Sequence, residues 1–121
     1  MKYMIAMFGS ASEMGATKTP EWINEMIAFM IDIDARLRAS GEMVYNEGLA
    51  DGSQAKVVRL ENGQPVATDG PFAEAKESLI GFWIVDVASE QRAIELGGEI
   101  AVWSDAVELR PVPSGPPAEY L

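Results

Sequence analysis

Apolar and polar positions along this chain of 121 residues follow two rhythms, one of strands and one of helices. "KYMIAMF" (Lys2 to Phe8) is too continuously apolar to leave one face to solvent, and reads as a buried strand. "GSASEMGATK" is polar and reads as a loop. Thr19, Pro20 and Glu21 then form a helix start: a hydroxyl to cap, a ring that suits the first helical position, and an acid in the first turn. Ile23, Met26, Ile27, Met30, Ile33 and Leu37 recur at threes and fours, which predicts one buried stripe. Gly41 closes the helix by supplying a left-handed cap.

Further along, "EMVYNEGLA" (Glu42 to Ala50) predicts a strand that ends at Gly48. "AKVVRLENGQPVATDG" predicts a hairpin, because Asn62-Gly63 is the dipeptide preferred where both central turn residues need positive φ. Pro65 sits just past that turn, where an edge tolerates its missing N–H. "LIGFWIVDV" (Leu79 to Val87) is apolar on both faces and predicts a central strand. Ser89 caps a second helix with Ala93, Ile94, Gly97 and Ile100 as its inner face. Gly97-Gly98 weakens that helix by about 1 kcal/mol per glycine relative to alanine, a loss offset if Gly97 lets it approach the sheet. "DAVELRPV" alternates as a half-buried last strand. "PSGPPAEYL" is a proline-rich tail, mobile or laid over a neighbouring subunit.

The order describes an α+β protein: a ferredoxin-like βαββαβ sandwich with an inserted hairpin, one domain over residues 1–112 and a tail over 113–121. No internal repeat is visible. Helices on one face leave the other bare, yet the two central strands are apolar on both sides. A second copy packed sheet to sheet is the expected cover, so a homodimer is predicted.

Composition narrows the chemistry. No apolar run approaches the roughly 18 residues that span a bilayer, and the first run ends at Phe8, too short for a secretory leader. A cytoplasmic protein is expected. The absence of cysteine and histidine removes disulfides, thiolate chemistry, the commonest general base and the usual transition-metal and haem ligands. A formal charge of −10 argues against nucleic acid and anionic membrane. No phosphate loop or dinucleotide fingerprint occurs. Asp32 and Asp34 fall on different helix faces, so no metal site is expected there, and no cofactor is implied.

"DGPFAEAKE" (Asp69 to Glu77) resembles the DGPFAETKE signature of the DGPF family, within the YciI-related proteins. "KYMIAMFG", "GEMVYNEGLA", "GFWIVDV" and "VELRPV" resemble further blocks of that family in the same order, so the likeness runs to Val112. It implies a dimeric α/β-barrel fold and little about activity, since most of the family has no assigned reaction. Related barrels include muconolactone isomerases, cofactor-independent monooxygenases and haem-dependent chlorite dismutases. A His–Asp pair has been proposed as the catalytic centre of YciI-type proteins; a chain without histidine cannot use it.

Candidate site residues follow from what remains. Asp69 before Gly70-Pro71 is either a turn cap or, if partly buried beside a cleft, a general acid or base. Glu47, at another strand end, pairs with it if the two ends adjoin; otherwise it is a solvated carboxylate. Arg59 and Lys76 are anion contacts or partners of nearby acids. Phe72, Phe82 and Trp83 line an apolar pocket or belong to core and interface. Ser10 donates to a ligand or is a loop hydroxyl. Two functions stay open: a small-molecule-binding protein, enzymatic by metal-free proton transfer of lyase or isomerase type, or a non-catalytic dimeric accessory module. The family's frequent gene neighbourhood with alternative sigma factors lends the second a regulatory sense.

Overall fold

The computed structural model describes residues 1–70 and 78–120. Among these residues, six strands and three α-helices follow in the order β1 (Lys2–Gly9), α1 (Ala11–Thr17), α2 (Pro20–Ser40), β2 (Met43–Gly48), β3 (Lys56–Glu61), β4 (Gln64–Asp69), β5 (Ser78–Asp86), α3 (Glu90–Ala101) and β6 (Val107–Val112). Four strands form an antiparallel sheet in the order β2-β5-β1-β6, and β3 and β4 form a separate two-stranded sheet. The two apolar runs are indeed its central strands.

Pairing register fixes which residues share a face, because directly opposed residues point the same way. Tyr3 lies opposite Val85, Ile5 opposite Trp83 and Met7 opposite Gly81. All of these but Gly81 meet Ile33, Leu37, Ala93, Leu96 and Ile100 from α2 and α3 in one buried cluster. The other face carries Met4 opposite Ile84 and Ala6 opposite Phe82, and Glu47 opposite Phe82. Among the described residues, none of this second set belongs to the cluster that α2 and α3 join.

Local chemistry explains the ends of α2. Thr19 Oγ1 accepts the Trp22 N–H at 3.1 Å, Pro20 opens the first turn, and Gly41 takes a left-handed φ of 80°. The stripe differs from expectation in one place. Ile27 is exposed, whereas Trp22 and Phe29 are half-buried. At 100° per residue the inward line runs through Trp22, Met26, Phe29, Met30, Ile33 and Leu37, and Ile27 falls beside it. A similar correction applies to α3, where Leu96 is buried and Ile94 is 48% exposed. Gly97 does what its position demands: a Cβ there would stand 3.3 Å from Val107 Cγ2 and 3.4 Å from Leu109 Cδ2. The backbone of α3 therefore lies against β6.

The largest departure is α1, where a loop was expected. Ser10 takes an extended φ of −135°, and its Oγ accepts the Glu13 N–H at 3.2 Å. Ser10-Ala11-Ser12-Glu13 has the spacing of a capping box. The cap, with Met14 packed against the core cluster, outweighs the low helix propensity of Gly15.

The inserted hairpin turns at Asn62 (φ 51°) and Gly63 (φ 77°), the geometry this dipeptide favours. Its base is closed by Gly70, whose N–H reaches Ala55 O at 2.8 Å. A Cβ on Gly70 would stand 3.0 Å from Val57 Cγ2, so the tight approach calls for glycine. Lys56 and Asp69, opposite each other in register, form an ion pair there. Beyond β6, residues 113–120 are exposed, with a 3-10 turn at Ala118–Tyr120. No helix among the described residues is long and apolar enough to cross a membrane.

Candidate functional site

Two hollows flank α1. One, of about 310 Å³, lies between α1, α2, β2 and β5. Met7, Met14, Met26 and Met30 wall it, with Ile80 and Trp83. Four methionines give an apolar wall that can repack around different shapes. A bulge in β1–β5 pairing, where Phe8 opposes Leu79 while Met7 opposes Gly81, leaves Ile80 without an opposite residue on β1. Ile80 packs against the core cluster on the helix side. Such two-against-one irregularities re-aim side chains.

Trp83 is the chemical feature of this cavity. It is 6% exposed, and among the described residues its Nε1–H is the buried side-chain donor without a hydrogen-bond partner. Leaving a buried donor unpaired costs about 1–3 kcal/mol, and most buried polar groups avoid it. Asn46 faces Trp83 across the β2–β5 pair and also lines the cavity. Asn46 Oδ1 accepts from Arg38 Nη2 at 3.4 Å, while Arg38 Nε is held by Asp34 at 2.9 Å. Hydrogen bonding to Arg38 holds the Asp34 carboxyl below its ordinary range.

The roof, α1, is fastened by Asp51, a residue that sequence reasoning missed. Its Oδ1 accepts the Ser12 N–H at 3.1 Å and lies 3.4 Å from Ser10 Oγ, while Oδ2 accepts the Ser53 N–H at 3.0 Å. Hydrogen bonds from Ser53 first, then from Ser12, hold the Asp51 carboxyl far below the usual carboxylate range. The local signal was present in "ADGS" (Ala50 to Ser53), an Asx-type turn. Its bond to Ser12, 39 residues away, has no local signal.

The expected site residues separate. Asp69 is 87% exposed, pairs with Lys56 and lines neither hollow. Among the described residues, its side chain lacks the partial burial on which an acid–base role would rest. Glu47 borders the cavity, yet its register opposite Phe82 turns it to the helix-free face. The two carboxylates stand on different sheets, and among the described residues no hydrogen bond or ion pair joins them. Phe82 and Trp83 do not share a pocket either. Neighbours in a strand point oppositely, so Phe82 meets Tyr45 on the bare face, ring centroids 6.0 Å apart, while Trp83 faces the helices. Ser10 is spent as the cap of α1 and borders the second hollow. Arg59 lies on β3 opposite Val66. Phe72 and Lys76 lie outside the described residues.

Strand order, paired helices on one face and an apolar cavity beneath α1 define a ferredoxin-like α+β domain with a preformed hollow. Residues 1–114 match the YCII-related domain, and the chain belongs to that family. It is also 34% identical over 68 residues to an uncharacterized protein of Rhizobium meliloti (strain 1021), a match covering 54% of this chain and 55% of that protein. The chain thus matches about half the length of that curated relative.

Proposed function

We propose that this protein binds a small, largely apolar or aromatic molecule in the cavity beneath α1, and that it does so as a cytoplasmic homodimer of the DGPF type. One observation carries the binding reading: a buried, unpartnered Trp83 donor in the wall of a methionine-lined hollow. A ligand that brings one hydrogen-bond acceptor would satisfy that donor, and the apolar wall would hold the rest. Proton transfer by Asp69 and Glu47 draws no support from this geometry, because neither side chain faces the cavity.

A second, non-catalytic reading rests on the sheet's bare face. Met4, Phe82 and Ile84 are half-buried there, beside exposed Tyr45. An apolar sheet surface of this kind fits a second copy of the chain, which is what an accessory or regulatory module would need.

Acetophenone and ethylbenzene, similar in shape but differing in a carbonyl acceptor, test the binding reading. Acetophenone is expected to move the Trp83 indole N–H resonance and raise the melting temperature more than ethylbenzene. Trp83→Phe is expected to level the two. If neither compound moves the Trp83 resonance or the melting temperature, the binding reading falls.

A further inference from the structure

The larger hollow, of about 550 Å³, lies on the other side of α1, against the start of α2 and the turn after α3. Among the described residues it shares only Met14 with the apolar cavity, and its chemistry is different. Trp22 and Trp103 meet edge to face, with ring centroids 5.3 Å apart and planes at 70°. Phe29 backs Trp103 at 5.8 Å, which holds that ring in place. Glu13 and Asp105 line the same hollow, and Asp105 is presented from a left-handed backbone, φ 71°.

The protein already places a cation on this aromatic wall. Lys18 Nζ lies 4.9 Å from the centre of the Trp22 ring, and among the described residues it makes no ion pair. An exposed lysine in a chain of charge −10 has carboxylates to choose from, yet its ammonium rests on an indole face. Near-perpendicular aromatic rings with carboxylates close by are the surroundings that favour alkylammonium ions, through the ring quadrupole and the surrounding negative charge. Net acidity also raises the local concentration of such cations.

The geometry points to this hollow as a second binding site, for organic ammonium ions, with Lys18 as a built-in competitor for the Trp22 face. A ligand ammonium takes the position over Trp22, Trp103 supplies the adjoining wall, and Glu13 and Asp105 balance the charge. Lys18 swings out into solvent, where its long side chain is readily accommodated. The site stands apart from the apolar cavity, so either can fail without the other.

The three tryptophans give three indole N–H resonances, and these read the test directly. Choline is compared with its uncharged carbon analogue, in which a tert-butyl group replaces the trimethylammonium. Choline is expected to move the Trp22 and Trp103 resonances and leave Trp83 in place, and the carbon analogue to move none of them. Lys18→Ala, on an exposed side chain, is expected to tighten choline binding about two- to fivefold, the range of one exposed cation–π contact. Trp22→Leu is expected to abolish it; should that variant misfold, Lys18→Ala carries the test by itself. Equal shifts from both compounds, or unchanged or weaker binding in Lys18→Ala, overturn the assignment.

Discussion

Asp51 accepts the backbone N–H of Ser12 at 3.1 Å, and through that bond the turn leading into β3 holds the first turn of α1. The helix has seven residues and no fully buried side chain of its own, so isolated helicity cannot sustain it. Its stability is borrowed from this carboxylate, from the Ser10 cap and from Met14. Because α1 stands between the two hollows, Asp51 acts as a positioning residue for both.

Asp51→Ala is therefore expected to free α1 before the rest of the domain. Hydrogen exchange at the amides of Glu13 and Met14 should quicken at least tenfold, while amides of β1 and β5 stay protected. Uniform exchange across the chain would show that Asp51 supports the whole fold instead.

Acid should weaken the same link. Asp51 and Glu42 both have carboxyls held below their ordinary values, Asp51 by Ser53 and Ser12 and Glu42 by Arg92. In the unfolded chain these groups protonate at about pH 4. Their stabilisation is present above that pH and is lost as pH falls toward their depressed native values. Denaturation curves between about pH 5 and pH 2 should show stability declining, and the Asp51→Asn, Glu42→Gln double variant should decline less steeply. An identical slope in the variant would remove these two groups from the account.

Adjacent glycines of α3 should respond in opposite directions to alanine. At Gly98 a Cβ meets nothing within 4 Å, so Gly98→Ala is expected to stabilise by up to about 1 kcal/mol through helix propensity. At Gly97 the same change drives a methyl toward Val107 and Leu109. Overpacking costs about 1–3 kcal/mol, which exceeds the propensity gain. Urea denaturation of the two variants checks the sign of each.

The Asp-Gly corner should prove structural, with glycine weighing more than the acid. The Lys56–Asp69 pair is 63% and 87% exposed, so Asp69→Asn is expected to cost less than about 1 kcal/mol. Gly70→Ala presses on Val57 and on the Ala55 carbonyl and should cost more, on the order of 1–3 kcal/mol. Equilibrium unfolding ranks them; a larger loss from Asp69→Asn would restore a central role to that carboxylate.

Phe82 tests the bare face. Its neighbours Met4 and Ala6 on β1 share that surface through the register, and Phe82→Glu would place a charge at its centre. Light scattering is expected to give a dimer for the natural chain and a monomer for the variant, with the helix-side core intact by circular dichroism. A monomeric natural chain would end the pairing proposal.

Much of the scaffold was written locally. Thr19-Pro20 and Gly41 bounded α2, Asn62-Gly63 fixed the hairpin, and the two-sided apolar runs marked β1 and β5 as central, because caps, turns and burial act over a few residues. Ile27 and Ile94 were misplaced inward, since threes and fours admit both edges of a stripe and only packing selects one. α1 lay hidden in a polar stretch: Ser10 and Glu13 have the spacing of a cap, but the Asp51 bond and the packing of Met14 that sustain the helix come from distant segments. What the tertiary structure alone decided is which side chains meet. Strand alternation set Phe82 and Trp83 on opposite faces, register turned Glu47 away from the cavity, and the hairpin carried Asp69 into solvent. Trp22 met Trp103, and Asp51 met Ser12, across stretches of chain that no local rule connects. Short-range chemistry selects elements, whereas a site depends on contacts between distant segments, and those exist only once the sheet has closed.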